Sequence, residues 1–413
     1  MNHYAGLDVS LEETAICVVD STGQIVKEAR AASEPETLIA ALREIDLPLE
    51  RVGLEACSLT AWLHDELHSA GLPAVCIETR HANAAMKTMP NKTDRNDARA
   101  LAQIMRTGWY RQVHVKSRPC RLWRSLLVAR RTVLNEMRSI ENVVRAVLRE
   151  GGLKLGTPSR AAFAERVRDL MAEDASVKPL VDPLLTILVT MLDQFARLTK
   201  QVLDIVRREK VCRRLMSVPG VGPITALAFR ATIDRPDRFR RSRDVGAHLG
   251  LTPARYQSGE TDVSGRISRC GDELARTALY EAAHTLLVRS RKWSSLRAWG
   301  MKVAKTRGMA RARVAVARKL AVILHRMWSD ETEFRFGRNP AAALAAASTG
   351  RENQQQPQEG TPDRSCGDDG RGDLVESPEP AGGTPARSWD RLRRLAFLTP
   401  SCGGPAPTAK RSE

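Results

Sequence analysis

Four carboxylates, Asp8, Glu55, Asp94 and Asp97, carry the clearest chemistry in the chain. Asp8 closes an apolar stretch, Tyr4-Ala-Gly-Leu-Asp-Val-Ser. An acid at the end of a buried strand needs a partner or a cation. Glu55 ends a second apolar run, Val52-Gly-Leu, in the same way. Asp94 and Asp97 stand three apart, on one face of a helix start. Taken singly, each acid is commonplace, because carboxylates suit strand ends and helix N-termini. Taken together, their oxygens could hold two Mg²⁺ ions roughly 3.5–4 Å apart, the separation used to cleave phosphodiesters.

A second candidate is Ser258, in Gly250-Leu-Thr-Pro-Ala-Arg-Tyr-Gln-Ser-Gly-Glu. A serine beside glycine is usually a turn residue. Here Arg255, Arg266 and Arg269 lie nearby, and guanidiniums around a scissile phosphate would lower the barrier to hydroxyl attack. Thr261, Ser264 and Ser268 are competing hydroxyls. A third feature is Gly220-Val-Gly222, which reads as the turn of a helix-hairpin-helix. Such a turn presents backbone N–H groups to a phosphate without reading sequence. The arginines that follow, Arg235, Arg238, Arg240, Arg241 and Arg243, strengthen that reading. His64 and His68 have an i, i+4 metal spacing but no third ligand, and read as a solvated helix face.

The charge balance points the same way. The 65 Lys+Arg exceed the 48 Asp+Glu and leave a formal charge of +17, a field suited to nucleic acid. Aromatic residues, at 4%, are too few to favour a base-stacking platform. A hydrophobic fraction of 42% excludes a wholly disordered or fibrous chain. Apolar runs such as 183–192 fall short of the roughly 20 residues that span a membrane, and no secretory signal is visible. The eight cysteines show no CxxC spacing, so neither zinc nor a disulfide framework is indicated. A reduced, cytoplasmic location is expected, with no membrane partner.

These residues need elements to position them. His3–Val9, Thr14–Asp20 and Gln24–Arg30 read as a three-stranded antiparallel meander. A helix from Pro35 to Ile45, a strand Val52–Ala56, a helix Thr60–Ala70 and a strand Ala74–Glu78 follow. A helix from Lys92 to Met105 has an acidic first turn. That order predicts an α/β RNase H-like domain over residues 1–115, with the first and fourth strands adjacent. Residues 116–212 predict a helical arm. Leu126, Val133, Ile140 and Val147 recur every seven residues, and Trp123, Met137 and Val144 fill the alternate positions, with Arg130 as the one polar break. Leu184, Leu188, Met191, Phe195, Leu198, Val202 and Ile205 form a second heptad seam. An intrachain hairpin and an oligomerisation arm explain the seams equally well. Residues 213–339 predict a basic, mostly helical unit. Residues 340–413, rich in Gly and Pro, predict a disordered tail in which 389–398 is a short apolar cluster.

Leu7-Asp8-Val9, Gly53-Leu-Glu55-Ala56 and Asn91-Lys-Thr-Asp-Arg-Asn-Asp-Ala98, with Gly250-Leu-Thr-Pro, Ser258-Gly259 and Gly265-Arg-Ile-Ser-Arg269, together resemble the insertion sequence 110 family of transposases. The resemblance spans about residues 1–335. It implies a RuvC-like domain in which Asp8, Glu55, Asp94 and Asp97 bind Mg²⁺, with two ions expected. It implies that Ser258, in a second transposase domain, forms a covalent link to the cleaved strand. It also implies DNA partners (element ends and target), a non-coding bridge RNA as guide, and coiled-coil arms that join a dimer or tetramer. The acidic site of one subunit would then meet the serine of another. By position, Gly220, Gly222, Arg238, Arg240, Arg241, Arg255, Arg266 and Arg269 are the candidate nucleic-acid contacts. Gln257 and Glu260 depart from the family's loop pattern.

Three other readings compete. A plain metal nuclease would leave Ser258 incidental. The opening Gly6-Leu-Asp-Val-Ser also resembles the first phosphate loop of sugar kinases and actin-like ATPases, but no later Gly-rich motif preceded by Asp follows. A non-catalytic nucleic-acid-binding protein would leave the four acids structural.

Overall fold

The computed structural model describes residues 2–87, 91–172 and 175–337. The expected tail at 340–413 and its cluster at 389–398 lie outside the described residues. The chain divides into two units, 1–117 and 118–413.

The first unit is built on a five-stranded mixed sheet. Its strands are β1 (His3–Val9), β2 (Glu13–Val19), β3 (Ile25–Ala32), β4 (Leu49–Glu55) and β5 (Ala74–Ile77), in the order β3-β2-β1-β4-β5. β1 pairs antiparallel with β2 and parallel with β4, the adjacency expected of an RNase H-like meander. Helices α1 (Pro35–Arg43) and α2 (Thr60–Ser69) supply the connections between β3, β4 and β5. Next come α3 (Thr79–Met86), which the sequence pattern did not suggest, and α4 (Asp94–Thr107).

Strand alternation separates two cores. Ala5, Leu7, Val52 and Leu54 face one way and pack with Leu38, Leu42, Leu63 and Leu67 of α1 and α2. Tyr4, Cys17 and Val19 face the other way and pack with Leu101, Ala102 and Met105 of α4. Asp8 and Glu55 fall on the α4 side by the same alternation.

Helices dominate the second unit. The long α5 (Arg118–Glu150) and α7 (Lys178–Arg208) pack together, with α6 (Phe163–Met171) between them in sequence. Their shared core holds Leu134, Met137, Val144, Val181, Leu185 and Phe195. The two helices therefore form an intrachain pair. On α5 the expected alternate positions Arg130, Met137 and Val144 are buried, but the other expected line is displaced by one residue. Leu127 and Leu134 are buried, whereas Leu126 and Val133 are only partly so. Arg130, the polar break, is itself buried; its Nε donates to Thr199 Oγ1 at 2.9 Å and its guanidinium covers the Phe195 ring. By length and composition α7 would be apolar enough to cross a membrane, longer than the apolar runs suggested. Its inward residues are nonetheless committed to the core shared with α5.

The rest of the unit comprises α8 (Lys210–Leu215), α9 (Pro223–Ile233), α10 (Asp244–His248), α11 (Glu273–Val288), α12 (Ser295–Arg307) and α13 (Met309–Ser329). α9 is buried along nearly all its length and forms the centre of this core with α11 and α13. Residues 253–267 are not a loop in a helical unit. They form an antiparallel hairpin, β6 (Pro253–Ser258) and β7 (Thr261–Ile267), which is almost wholly exposed.

Candidate active site

The first unit brings the four acids towards one another. In the β1–β4 register Gly6 pairs with Gly53 and Leu7 with Leu54. Asp8 and Glu55 are the next residues on each strand, at the same edge of the sheet. Adjacent strands lie about 4.8 Å apart, so the two side chains emerge as neighbours. α4 supplies the other two acids. It can come close because Gly6 has no side chain: a Cβ there would stand 2.3 Å from Ala98 O and from Ala102 N.

The N-terminus of α4 is set by its own sequence. Thr93 is the N-cap and accepts from Asn96 N at 3.2 Å. Asp94 and Asp97 occupy the first turn, and Asp97 is buried. On the other side of the helix, Arg95 and Arg99 both grip Glu28 of β3; Arg99 Nε reaches Glu28 Oε1 at 2.6 Å. These contacts hold Glu28 down to about 2. The Lys-Thr-Asp-Arg-Asn-Asp stretch thus caps the helix, presents two acids and bolts the helix to the sheet.

The electrostatics report the convergence. Burial, with Asp97 and then Asp94 facing it, pushes the Asp8 carboxyl up to about 6. Burial, then Asp8 and Asp97, raises Glu55. Lys92 opposes both shifts. Asn83 of α3 donates its Nδ2 to Glu55 Oε1 at 3.2 Å. Thr60 Oγ1 donates to the Glu55 carbonyl at 2.5 Å and fixes the chain just beyond it. Lys92, Asn83 and Thr60 were not anticipated as site residues. Lys92 was visible inside the motif, but Asn83 belongs to a helix that the pattern did not suggest.

The acids do not close into a finished cation site: among the described residues, no group of three His, Cys, Asp or Glu stands in a metal-holding arrangement. The donor set nevertheless fits a hard divalent cation, which takes oxygen ligands. Burial and the neighbouring acids raise the proton affinity of Asp8 and Glu55, and a cation relieves that excess of negative charge as a proton does.

The second unit places Ser258 as the last residue of β6, paired with Thr261 across the two-residue turn Gly259-Glu260. Gly259 adopts φ +54, as the tight turn requires. The guanidiniums are not gathered around this serine. Arg255 makes two short hydrogen bonds to Asp262, at 2.7 and 2.6 Å. By strand alternation it also points to the opposite face from Ser258. Arg266 and Arg269 belong to the base of the hairpin, whereas Ser258 is at its tip.

Gly220 and Gly222 do lie between two helices, α8 and α9. Packing accounts for Gly220: its φ is +91, and a Cβ would meet Ala282 O of α11 at 2.5 Å. Gly222 is the N-cap of α9 with open space beside it. Arg238 is half-buried, donating to the Ile233 carbonyl and stacking on Phe239. Arg235 pairs with Asp237. Arg240 and Arg241 are exposed. His64 and His68 stack on each other, and among the described residues they do not join a third metal-holding group.

Residues 5–151, which include all four acids, match a transposase model of the DEDD type. Residues 212–298, which include Ser258, match the model described as the transposase IS116/IS110/IS902 family. Over 338 residues the chain is 27% identical to the "Transposase for insertion sequence element IS1111A" of Coxiella burnetii, covering 80% of this chain and 91% of that protein. Over 297 residues it is 30% identical to a "Probable family 20 transposase" of Pseudomonas aeruginosa, covering 70% and 87%. The RuvC structure of Thermus thermophilus aligns with 27% of this chain and 99% of its own, at 14% identity and a TM-score of 0.22.

Proposed function

The chain belongs to the IS116/IS110/IS902 family of transposases and is a DNA transposase; from that premise we propose that it cleaves and rejoins strands with Asp8, Glu55, Asp94 and Asp97 as one metal-binding set and Ser258 as nucleophile. The observation that carries the acidic half is the parallel register that sets Asp8, near the end of β1, beside Glu55, the end of β4, with the first turn of α4 supplying Asp94 and Asp97.

Mg²⁺ held by these carboxylates would supply Lewis-acid stabilisation of the oxygens around the scissile phosphorus. The residues themselves do the rest. Asp8 and Glu55 need to be ionised to bind a cation, and Lys92 favours that state. Asn83 and Thr60 hold Glu55 and its strand end in place. The Ser258 hydroxyl displaces one ester oxygen of the phosphate. A phosphoserine ester forms, the P–O bond to the leaving strand breaks, and the proton of the hydroxyl passes to that leaving oxygen. Attack by a strand hydroxyl on the phosphoserine reverses the sequence and rejoins DNA.

The finer parts of the reading are a non-coding bridge RNA as guide, a cytoplasmic, nucleoid-associated location, and a dimer or tetramer. Support for assembly comes from apolar side chains left exposed on the helical pair, among them Leu122, Val143, Leu180 and Ile187. A metal nuclease without a serine step is favoured by one observation, the neutralisation of Arg255 by Asp262 beside an exposed serine.

The deciding experiment incubates the protein with Mg²⁺, junction DNA from its element and the flanking non-coding RNA, and resolves products on denaturing gels with and without protease. A protease-sensitive DNA adduct that requires RNA and vanishes in both Asp8→Asn and Ser258→Ala supports the full reading. Free nicked DNA that persists in Ser258→Ala refutes the serine step.

A further inference from the structure

Within the second unit, a cleft of about 1120 Å³ opens between the base of the hairpin and the helices α12 and α13. Arg266 and Arg269 enter it from the hairpin side, and Arg243 from the start of α10. Arg307, Arg311, Arg318 and Lys319 enter from α12 and α13. Among the described residues, no Asp or Glu lines it. Other arginines of the unit pair with acids, as Arg124 does with Asp272 and Arg255 with Asp262. Gathering like charges without a counter-charge is costly unless an anionic ligand offsets it.

The floor is apolar: Leu251, Ile267, Trp299, Val314 and Val322. Lys319 places its ammonium 3.7 Å from the centre of the Trp299 ring. Arg269 is held at φ +55, a left-handed conformation that a non-glycine residue adopts at a cost. Two close backbone approaches flank it. A Cβ at Gly250 would meet Cys270 O at 2.2 Å, and one at Gly271 would meet His248 O at 2.0 Å. Strain of this kind, at a residue that lines a cleft, points to a bound partner.

We infer that this cleft binds an unpaired segment of nucleic acid, with its phosphates on the arginines and its bases against Trp299 and the apolar floor. Given the transposase function above, what is added is the strand state that this surface takes. A duplex shows phosphates outward and hides its base faces, so it gains nothing from an apolar floor. An unpaired strand offers both groups. The volume slightly exceeds that of typical drug-sized ligand sites, roughly 300–1,000 Å³, which suits a short run of nucleotides. An entering base would take the place of Lys319 over Trp299 and free its ammonium for a phosphate. One well-placed tryptophan suffices, so the low overall aromatic content does not argue against the site.

The test measures anisotropy of labelled strands against the full chain. The probes are a single-stranded DNA and a single-stranded RNA of about 12 nucleotides, within the usual range of site sizes, and a duplex of the same sequence. The Arg311→Gln/Arg318→Gln double variant is expected to bind at least one single strand about tenfold more weakly. Its salt dependence on that strand should fall by about 1.4 logarithmic units, two phosphate contacts at roughly 0.7 each. Duplex binding should change less than about threefold on the same scale. Trp299→Leu should weaken single-strand binding about fivefold or more and leave the salt slope unchanged. Thermal unfolding of each variant confirms that it is folded. Which single strand is lost identifies the source as DNA or RNA. Equal losses on duplex and single strands, or no loss on either single strand, would overturn the inference. A wild-type chain that binds no nucleic acid would instead overturn the transposase reading itself.

Discussion

Gly6 and Gly53 face each other in the parallel pair of β1 and β4, and α4 packs down on both. Each is two residues before a site acid, Asp8 or Glu55, on the same face of the sheet. The pair of glycines therefore sets how near the acids of α4 come to the acids of the strands.

The two glycines should not be equally sensitive. A Cβ at Gly6 meets backbone of α4, at Ala98 O and Ala102 N, which cannot yield. A Cβ at Gly53 meets the Met105 side chain at 2.6 Å, and Met is flexible. Gly53→Ala is expected to cost about 1–3 kcal/mol, the usual range for overpacking, and to retain some cleavage. Gly6→Ala should cost more and abolish cleavage, because α4 must move. Denaturant unfolding and a strand-cleavage assay on both variants check this.

The burial of Asp8, reinforced by Asp97 and Asp94, predicts an unusual stability profile. The Asp8 carboxyl is raised from 3.8 to about 6, so the folded state holds its proton more tightly than the unfolded state does. Stability should fall as pH rises between those values, and the penalty is complete above about 6. Asp8→Asn removes the penalty. In the absence of metal it should stabilise the protein at neutral pH by on the order of 1–2 kcal/mol, after allowance for partial exposure, while abolishing cleavage. Thermal unfolding across this pH range, in chelator, is the measurement.

Glu28 predicts the opposite slope. Arg95 and Arg99 lower its carboxyl from 4.5 to about 2. Its contribution is complete above 4.5 and is lost as pH falls through about 2. Glu28→Gln should flatten this acid limb and lower the melting temperature at neutral pH. Because both arginines flank Asp94 and Asp97 on α4, the variant should also slow cleavage. An unchanged acid limb would show that the Glu28 contacts do not fasten the helix.

Much of the first unit was legible because its signals are local and strong. β1 runs from His3 to Val9, as its apolar pattern indicates, and strand alternation alone puts Asp8 and Glu55 on one face. Other features depend on distant partners. One of the two expected lines on α5 is shifted by one residue, to Leu127 and Leu134, and Leu127 packs into the core around α9. The hairpin at 253–267 carries no alternation of apolar and polar residues, because all but one of its residues are exposed. Its usable signal was a two-residue turn beginning with glycine between polar, β-compatible runs. Without that register, the pairing of Arg255 with Asp262 and the separation of Arg266 from Ser258 could not be read. The cleft cations follow a partial code, since Arg311 and Arg318 are seven apart on one face of α13. Their juxtaposition with the hairpin base is tertiary.

The measurement closest to the central claim is a calorimetric titration of the purified full-length protein with Mn²⁺ or Mg²⁺, compared with Asp8→Asn, Glu55→Gln and Asp97→Asn. If the four carboxylates form one site, divalent cation should bind and raise the melting temperature of the wild type, and each variant should lose both effects while remaining folded. Cation binding and stabilisation that persist unchanged in Asp8→Asn would contradict the assignment.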